Sequence, residues 1–502
     1  MKSITKAMTF LLSLSLVLSL ASCGSKGTTS STSGTGKAAA LKAVTLNFTL
    51  PGDVTPKAQA DVLSAVETKL KADGLNFKIA FTYLTWSDYW NRVSMIAAAG
   101  EDQDILWTHS SQIGGLVASE VLAPLNSAID TYGATLKANI PDYYWKGVTI
   151  NNKIYGIPRT APAAGGQQFL FLRQDLLTKY NMAVPKTFDD VAKYYASVKK
   201  NEPAMIPVDQ DHSEWMLRDF GAIYFPLGSF SKWPLYVDVS QSKMDVKIWY
   251  ESTFFKTVCD RNRAFYTSGY REKDRGTVTD AESWFAGSKL SSLWSSELKP
   301  TERVDKLNKK DPNIKFANVM INDSQSKYIY SAVDNILSVY AGSKKVNEAV
   351  ALVNWIRTSQ ENFDLFTYGI KGKNYNISNE QLNFDGITAD NMYSPPSFSW
   401  SDIRFSRYSD KLDPAYVAEL KTWDKDAKIS PLNGFIADLK PIEVEIAQVQ
   451  AVEGEYVEDL TYGVTDYNKV FKDFDKKIKD AGIEKIRIEI QKQVDAFVAK
   501  NK

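Results

Sequence analysis

The chain has 502 residues, 44% of them hydrophobic and 24% charged, enough to bury a substantial core in two or three domains or one large two-lobed unit. Sixty Lys and Arg against 59 Asp and Glu leave a formal charge of +1, which excludes a global field for nucleic acid or anionic lipid. Two cysteines and two histidines, His109 and His212, exclude Cys-cluster zinc and iron–sulfur sites and argue against a His-based metal or catalytic chain. The 12 Trp, 25 Tyr and 24 Phe are the unusual feature. They raise the question of a flat apolar ligand.

Lys2 and Lys6 form a short positive region ahead of the apolar run Phe10–Leu20. That run is too short to span a hydrocarbon layer of roughly 30 Å and has the size of a signal-peptide core. It ends in Leu20-Ala21-Ser22-Cys23, which resembles the lipobox of bacterial lipoproteins. Residues 1–22 are therefore expected to be a lipoprotein signal peptide, with Cys23 as the lipidated residue carrying palmitate-type acyl chains. The alternative is an ordinary secretory signal with an incidental cysteine. Residues 23–40, with the run GSKGTTSSTSGTGKAAA, contain nothing that builds a core. They are expected to form a flexible tether, on the order of 20 Å from end to end. Two acyl chains supply the anchoring that one alone would not. Cleavage before Cys23 removes two lysines and leaves a formal charge of −1. Cys259 is then the remaining thiol, in the apolar stretch Phe254–Cys259, and is expected in the core.

Beyond the tether, Val44, Leu46, Phe48 and Leu50 alternate with polar residues and predict a strand. Pro56 opens a helix with Val62, Val66 and Leu70 on one face, ended by Asp73-Gly74. Phe77, Ile79, Phe81 and Tyr83 mark a second strand, and a helix through Tyr89, Trp90, Val93 and Ile96 stops near Gly100. Asp104–Trp107 reads as a third strand. This β-α-β-α-β order predicts an α/β fold with parallel strands and crossover helices. Ligands in such sheets bind beyond the carboxyl ends of the strands. That rule places Trp86 and Tyr89, after strand two, and Trp107, His109 and Ser110, after strand three, at one rim. Farther on, Phe169–Leu172 reads as a buried strand and Thr187 as a helix N-cap. Residues 344–361 predict one amphipathic helix, and residues 467–502 predict two, split at Asp480-Ala481-Gly482.

No phosphate-binding glycine loop or nucleophile elbow is present, and residues 383–390 lack the alternating acids of a calcium loop. Glu443, Glu445, Glu453 and Glu455 are expected on solvated faces. Trp355 is expected to pack in the helix 344–361. Trp86, Trp107, Trp215, Trp284, Trp294 and Trp400 instead occur in polar strings such as LTWSDYW, ESWFAG and FSWSDIR. Flat aromatic faces with a few polar neighbours suit a sugar ring.

Asn151–Pro158 (NNKIYGIP), Phe171–Leu177 followed by VPKTFDD, Phe285–Leu290 and Ser343-Lys344-Lys345 occur in an order that resembles the extracellular solute-binding proteins, family one, of carbohydrate ABC importers. Tyr368–Gly372, Gly434-Phe435 and Ala481–Ile483 with Glu489–Gln493 resemble large Gram-positive lipoproteins of this type, which carry a C-terminal domain of unknown function. Asn151-Asn152 and Leu290-Ser291 depart from the family's pattern. The resemblance implies a two-lobed periplasmic-binding-protein-like fold (type II), with residues 41–157 plus 318–372 as the N-terminal lobe. Residues 158–317 plus 373–502 form the C-terminal lobe, with a helical extension. It further implies a non-enzymatic, monomeric receptor on the outer face of the cytoplasmic membrane. Its partners would be a carbohydrate, expected to be an oligosaccharide, and ABC permease subunits, with no cofactor, metal or nucleic acid. Trp86, Tyr89, Trp107 and Ser110 are the expected first-lobe contacts, and Trp284, Trp294 and Trp400 the expected stacking surfaces. Arg159, Asp334 and Arg404 would bond hydroxyls, or a carboxylate if the sugar is acidic. The rival readings are a cell-surface glycosidase or lyase and a peptide receptor on the same fold.

Overall fold

The computed structural model describes residues 40–52, 55–100, 102–164, 168–209, 224–227, 234–295, 300–321, 327–329 and 333–501. Cys23, the tether up to residue 39, His212 and Trp215 lie outside these residues.

The first strands form where the sequence alternates. β1 (Val44–Pro51), β2 (Phe77–Leu84) and β3 (Ile105–His109) are parallel, with β1 paired to both of the others. The crossover helices Gln59–Ala72 and Tyr89–Ala99 connect them. Val62, Val66 and Leu70 are buried as their spacing requires, and Gly100, at a left-handed φ of 64°, ends the second helix. A small hairpin, β4 (Thr149–Ile150) and β5 (Lys153–Ile154), precedes β6 (Ile157–Pro158).

The chain then leaves this sheet and builds a second region. β7 (Gln168–Arg173) becomes the centre of a sheet, while β8 (Tyr224–Leu227), β9 (Leu235–Asp238) and β10 (Val246–Ile248) form another. β11 (Ser292–Ser295) and β12 (Phe316–Ile321) flank β7, both antiparallel to it. Successive residues of β7 face opposite sides. Leu170 and Leu172 enter the core beneath the helix Phe188–Asn201, whereas Phe171 enters the one containing Phe285, Leu293 and Leu420. Thr187 caps the Phe188–Asn201 helix, its side chain accepting from Asp190 N–H at 3.2 Å.

After β13 (Tyr328–Ile329) the chain returns to the first sheet as β14 (Asn335–Val339), which lies antiparallel between β3 and β6. The finished order is β2-β1-β3-β14-β6, with the reversed strand β14 set between β3 and β6. A second hairpin, β15 (Asn376–Ser378) and β16 (Gln381–Asn383), follows, and β17 (Lys428–Ile429) pairs with β13. The helices Glu443–Tyr462, Tyr467–Asp480 and Ile483–Lys500 close the chain, with Gly482 at φ 98° in the break between the last two. Their apolar faces share one core with β9 and β10. Gln491 ties them to β10's edge, accepting from Val246 N–H at 2.7 Å and donating to the Met244 carbonyl at 3.1 Å.

Several elements differ from the sequence reading. The expected lobe boundary at 317/318 falls inside β12, which bonds along its whole length to β7 in the second region. Tyr393, Trp400 and Trp423, placed in the C-terminal lobe, are buried in the core of the first sheet. The helix expected over 344–361 runs only from Val346 to Ile356, because Ser359 caps a new helix, Gln360–Tyr368. Trp355 does pack in the core, its indole N–H on Asp73 at 2.8 Å. Glu453 is buried and accepts from the Tyr250 hydroxyl at 2.6 Å, since its helix packs against Thr253–Thr267.

Trp400 and Arg404 also depart from their expected roles. The Trp400 ring is 1% exposed, lies parallel to Phe81 and donates its indole N–H to the Thr367 hydroxyl at 3.1 Å. It is a core residue, not a stacking surface. Arg404 is forked onto Asp402, with Nε at 3.0 Å and Nη2 at 2.7 Å. The same carboxylate accepts from the buried Arg357 at 2.9 Å, while Arg357 also reaches the Pro158 carbonyl at 2.7 Å and the Thr160 hydroxyl at 3.2 Å. This knot fastens the segment leaving β6 to the end of the helix Val346–Ile356.

Burial pushes the Asp402 carboxyl up, but the charges and hydrogen bonds of Arg357 and Arg404 outweigh it and hold it at about 2. Its folded value is thus below the unfolded one, so its contribution is complete above about pH 4 and is lost as pH falls toward 2. Asp402→Asn should therefore lower stability at pH 7 by about 3–5 kcal/mol, by leaving buried guanidinium charge uncompensated. Denaturant titrations should show the gap to wild type narrowing between pH 4 and pH 2; a pH-independent gap would remove the ionic explanation. Cys259 is fully buried, and burial pushes its thiol up. An alkylating reagent mapped by mass spectrometry should modify it only in denaturant.

Candidate functional site: an aromatic and charged rim on the first sheet

β1, β2 and β3 run the same way, and β14 runs against them, so the carboxyl ends of β2, β3 and β6 meet the amino end of β14 at one rim. Four segments deliver side chains there. After β2, the turn Thr85–Asp88 is closed by the Thr85 hydroxyl on Asp88 Oδ2 at 2.7 Å and by Asp88 N–H on the Thr85 carbonyl at 3.1 Å. Trp86 sits on this turn and is half exposed. Its ring stacks on Phe398, with centroids 5.7 Å apart at 26°, and stands edge-on to Trp107 at 5.4 Å.

Trp107 is buried in β3 and forms the floor of the group. Its indole N–H donates to Asn335 Oδ1 at 2.8 Å, and Trp90 and Tyr89 pack on it with ring centroids at 5.0 and 5.2 Å. Tyr89 is fully buried, with its hydroxyl 2.7 Å from the Trp107 carbonyl and 3.0 Å from that of Thr49. Burial pushes that phenol well above its ordinary value, so it remains a neutral donor. Tyr89 thus supports Trp107 from behind and presents no surface of its own.

At the end of β3, His109 Nδ1 accepts from Ser111 N–H at 3.2 Å and lies 2.9 Å from the Ser111 hydroxyl, capping the helix Ser110–Ala118. Ser110, partly exposed, donates its backbone N–H to the Asp334 carbonyl at 3.0 Å. Asp334 stands just before β14. Its carboxylate accepts from Arg159 Nε at 2.7 Å, from Arg159 Nη2 and from Asn335 N–H at 2.6 Å. Arg159 is positioned by its own N–H on the Asn335 carbonyl at 3.1 Å. Burial pushes the Asp334 carboxyl up, but the charge and hydrogen bonds of Arg159, with His109 and Asn335 N–H, outweigh it and hold the group below its ordinary value. Asp334 is therefore ionised across the physiological range.

Trp86, Tyr89, Trp107, Ser110, Arg159 and Asp334 are thus brought together from the sequence's expected set. Trp284 and Trp294 lie in the second region. Trp284 is half-buried on the helix Ala281–Ala286 with Lys289 Nζ 5.5 Å from its ring. Trp294 is nearly buried in β11; its backbone N–H donates to Asp209 at 3.1 Å, and the Arg303 guanidinium lies 6.0 Å from its ring. The rim also contains residues that sequence reasoning missed. Phe398 lies two positions before Trp400 in the same FSW string, with one residue between it and Pro395-Pro396, so the string that predicts Trp400 at the rim holds the aromatic that reaches it. Asn335 had no local signal, because its role comes from pairing with His109 across the sheet. Among the described residues no group of three or more His, Cys, Asp or Glu is gathered to hold a metal ion.

Comparison with known proteins places the chain in a family. Over 461 residues the chain is 24% identical to a carbohydrate ABC transporter substrate-binding protein of Streptococcus pneumoniae serotype 4, covering 88% of this chain and 89% of that one. The crystal structure of the N-glycan transport solute binding protein NgtS from Streptococcus pneumoniae matches with a TM-score of 0.72 at 20% identity, over 91% of this chain and 100% of that one. The same protein in complex with Man1GlcNAc matches with a TM-score of 0.69. An alginate-binding protein crystallised without calcium matches at 0.65 and 17% identity, over 91% of this chain and 100% of that one. These structures share the two-lobed type II fold. Residues 431–499, the C-terminal helices, match a domain of unknown function. Residues 65–372, more than half of the chain, match the model of the bacterial extracellular solute-binding proteins, and the chain belongs to that family.

Proposed function

We propose that this protein is the lipid-anchored receptor of an ABC importer, capturing an oligosaccharide between its lobes and delivering it unchanged to the permease. The observation that carries this reading is the half-exposed Trp86, stacked on Phe398 and standing beside the ionised Asp334 rim. A sugar ring offers C–H bonds to an aromatic face and hydroxyls to polar groups around it, and the rim supplies both within one rigid assembly. Trp86 and Phe398 are the proposed stacking pair. Asp334 and Ser110 are the proposed hydroxyl partners. Tyr89, Trp107 and Arg159 hold these groups in place from below. Trp284 and Trp294 are the proposed contribution of the second lobe, brought toward the rim when the lobes close by hinge motion. The carbohydrate and N-glycan names of the relatives support the same substrate class.

Cys23 is the proposed lipidation site, with residues 24–40 as the tether. Anchoring on a short tether raises the concentration of the receptor beside its permease without any new contact.

An oligosaccharide library read by mass spectrometry and thermal shift should return unchanged ligands together with a raised Tm. Ligand at about 100 times its Kd stabilises by about 2.7 kcal/mol. Trp86→Ala should weaken the best ligand at least tenfold, about 1.4 kcal/mol, while leaving the Tm of the free protein nearly unchanged. Cleaved products would replace the receptor by a glycan-active enzyme, and a response to peptides alone would replace the carbohydrate. For the anchor, cells fed an alkyne fatty acid should label the wild-type chain and not Cys23→Ser. Equal labelling of the two, or none of the wild type, would overturn the lipidation.

A further inference from the structure

The pair at the rim is asymmetric in a way that selects among sugars. Arg159 is forked onto Asp334, and its guanidinium side chain is only 4% exposed, whereas the Asp334 side chain is 36% exposed. Of the two charges, the negative one reaches solvent. The guanidinium is spent on holding that carboxylate, and a planar fork bonded at two nitrogens to one carboxylate is set against rearrangement. The neighbouring amide is committed as well, since Asn335 Oδ1 accepts from the Trp107 indole. That bond joins the carboxylate and the aromatic floor into one unit, with Trp86 edge-on to Trp107 at its open side.

We infer that Asp334 makes this rim a filter for neutral, hydroxyl-bearing sugars and against sugars that carry a carboxylate. The inference rests on the carbohydrate reading above and deepens it by naming the charge class. A neutral ring lying on Trp86 can donate a hydroxyl to the Asp334 oxygens, a charge-assisted bond of the stronger kind. A uronate in the same place brings its own anion toward an anion, and the cation that would welcome it lies behind Asp334. Like charges facing each other in a site suppress the wrong partner more than they improve the right one.

The test compares neutral gluco-, manno- and galacto-oligosaccharides with oligouronates of the same lengths, by calorimetric titration against the full chain extracted from membranes. Neutral oligosaccharides should bind, and every oligouronate should bind at least tenfold more weakly. Raising the salt concentration should narrow that ratio in the wild-type protein, because the repulsion is screened. This measurement needs no variant and does not depend on how a mutant folds. Asp334→Asn, which keeps the shape and removes the charge, should weaken neutral ligands and narrow the ratio at least fivefold. Oligouronates binding as tightly as neutral sugars, or a ratio indifferent to both salt and Asp334→Asn, would overturn the filter and leave the receptor reading standing. Binding of neither class would sink the carbohydrate reading and the filter with it.

Discussion

The antiparallel insertion of β14 between β3 and β6 is the constraint on which the rim depends. All five residues of β14 are buried, so its register is set by the core on both sides. That register places Asn335 opposite His109 and Ile336 opposite Pro158. It thereby sets Asp334 between the ends of two strands whose next residues are Ser110 and Arg159. Two contacts follow from it: Trp107 with Asn335, and Arg159 with Asp334. A slip of one residue would turn Asn335 to the other face of the sheet and leave the Trp107 indole and the Arg159 fork without their partners.

Two arginine–aspartate groups with related geometry serve different ends. In the Arg357–Asp402–Arg404 knot every charge is enclosed or bonded, and the group ties the segment after β6 to the helix Val346–Ile356. Such a knot adds little net stability over an apolar core, but opening it would leave buried charge unpaired. In the Arg159–Asp334 pair the carboxylate stays at the surface. The first pair belongs to the framework and the second to the rim. The segment between them is also held from the far side, where Asp424 accepts from the N–H groups of Ala163 and Ala164 at 2.8 Å each and the Trp423 indole donates to the Ala164 carbonyl at 2.9 Å. Lys327 reaches over the Trp423 ring at 3.9 Å, so two chain passages between the cores are fastened to a third.

The aromatic excess that stands out in the composition divides along the same line. Trp355 and Trp400 fill the first core, Trp107 floors the rim, and Trp86 is left half exposed. Nothing in the strings around them separates these fates. LTWSDYW and FSWSDIR are equally polar, yet one tryptophan lies on a capped turn beyond β2 and the other lies against Phe81. Arg404 looked available for a ligand for the same reason. Its partner Asp402 is two residues away, but the turn that brings them together depends on Arg357 and Thr160 from elsewhere in the chain.

By itself the sequence determined the elements: the alternation of β1 and β2, the helix faces of Val62, Val66 and Leu70, the Thr187 cap and the break at Gly482. These are local properties, set by period, propensity and backbone freedom within a few residues. It also determined that the carboxyl ends of β2 and β3 share a rim, because a right-handed β-α-β order leaves little other choice. Only the tertiary structure decided which aromatics face solvent, where β12 belongs, and that Asp334 rather than Arg159 meets the outside. Those outcomes rest on pairings between residues far apart in the chain, such as Trp107 with Asn335, and on burial, which no local pattern encodes.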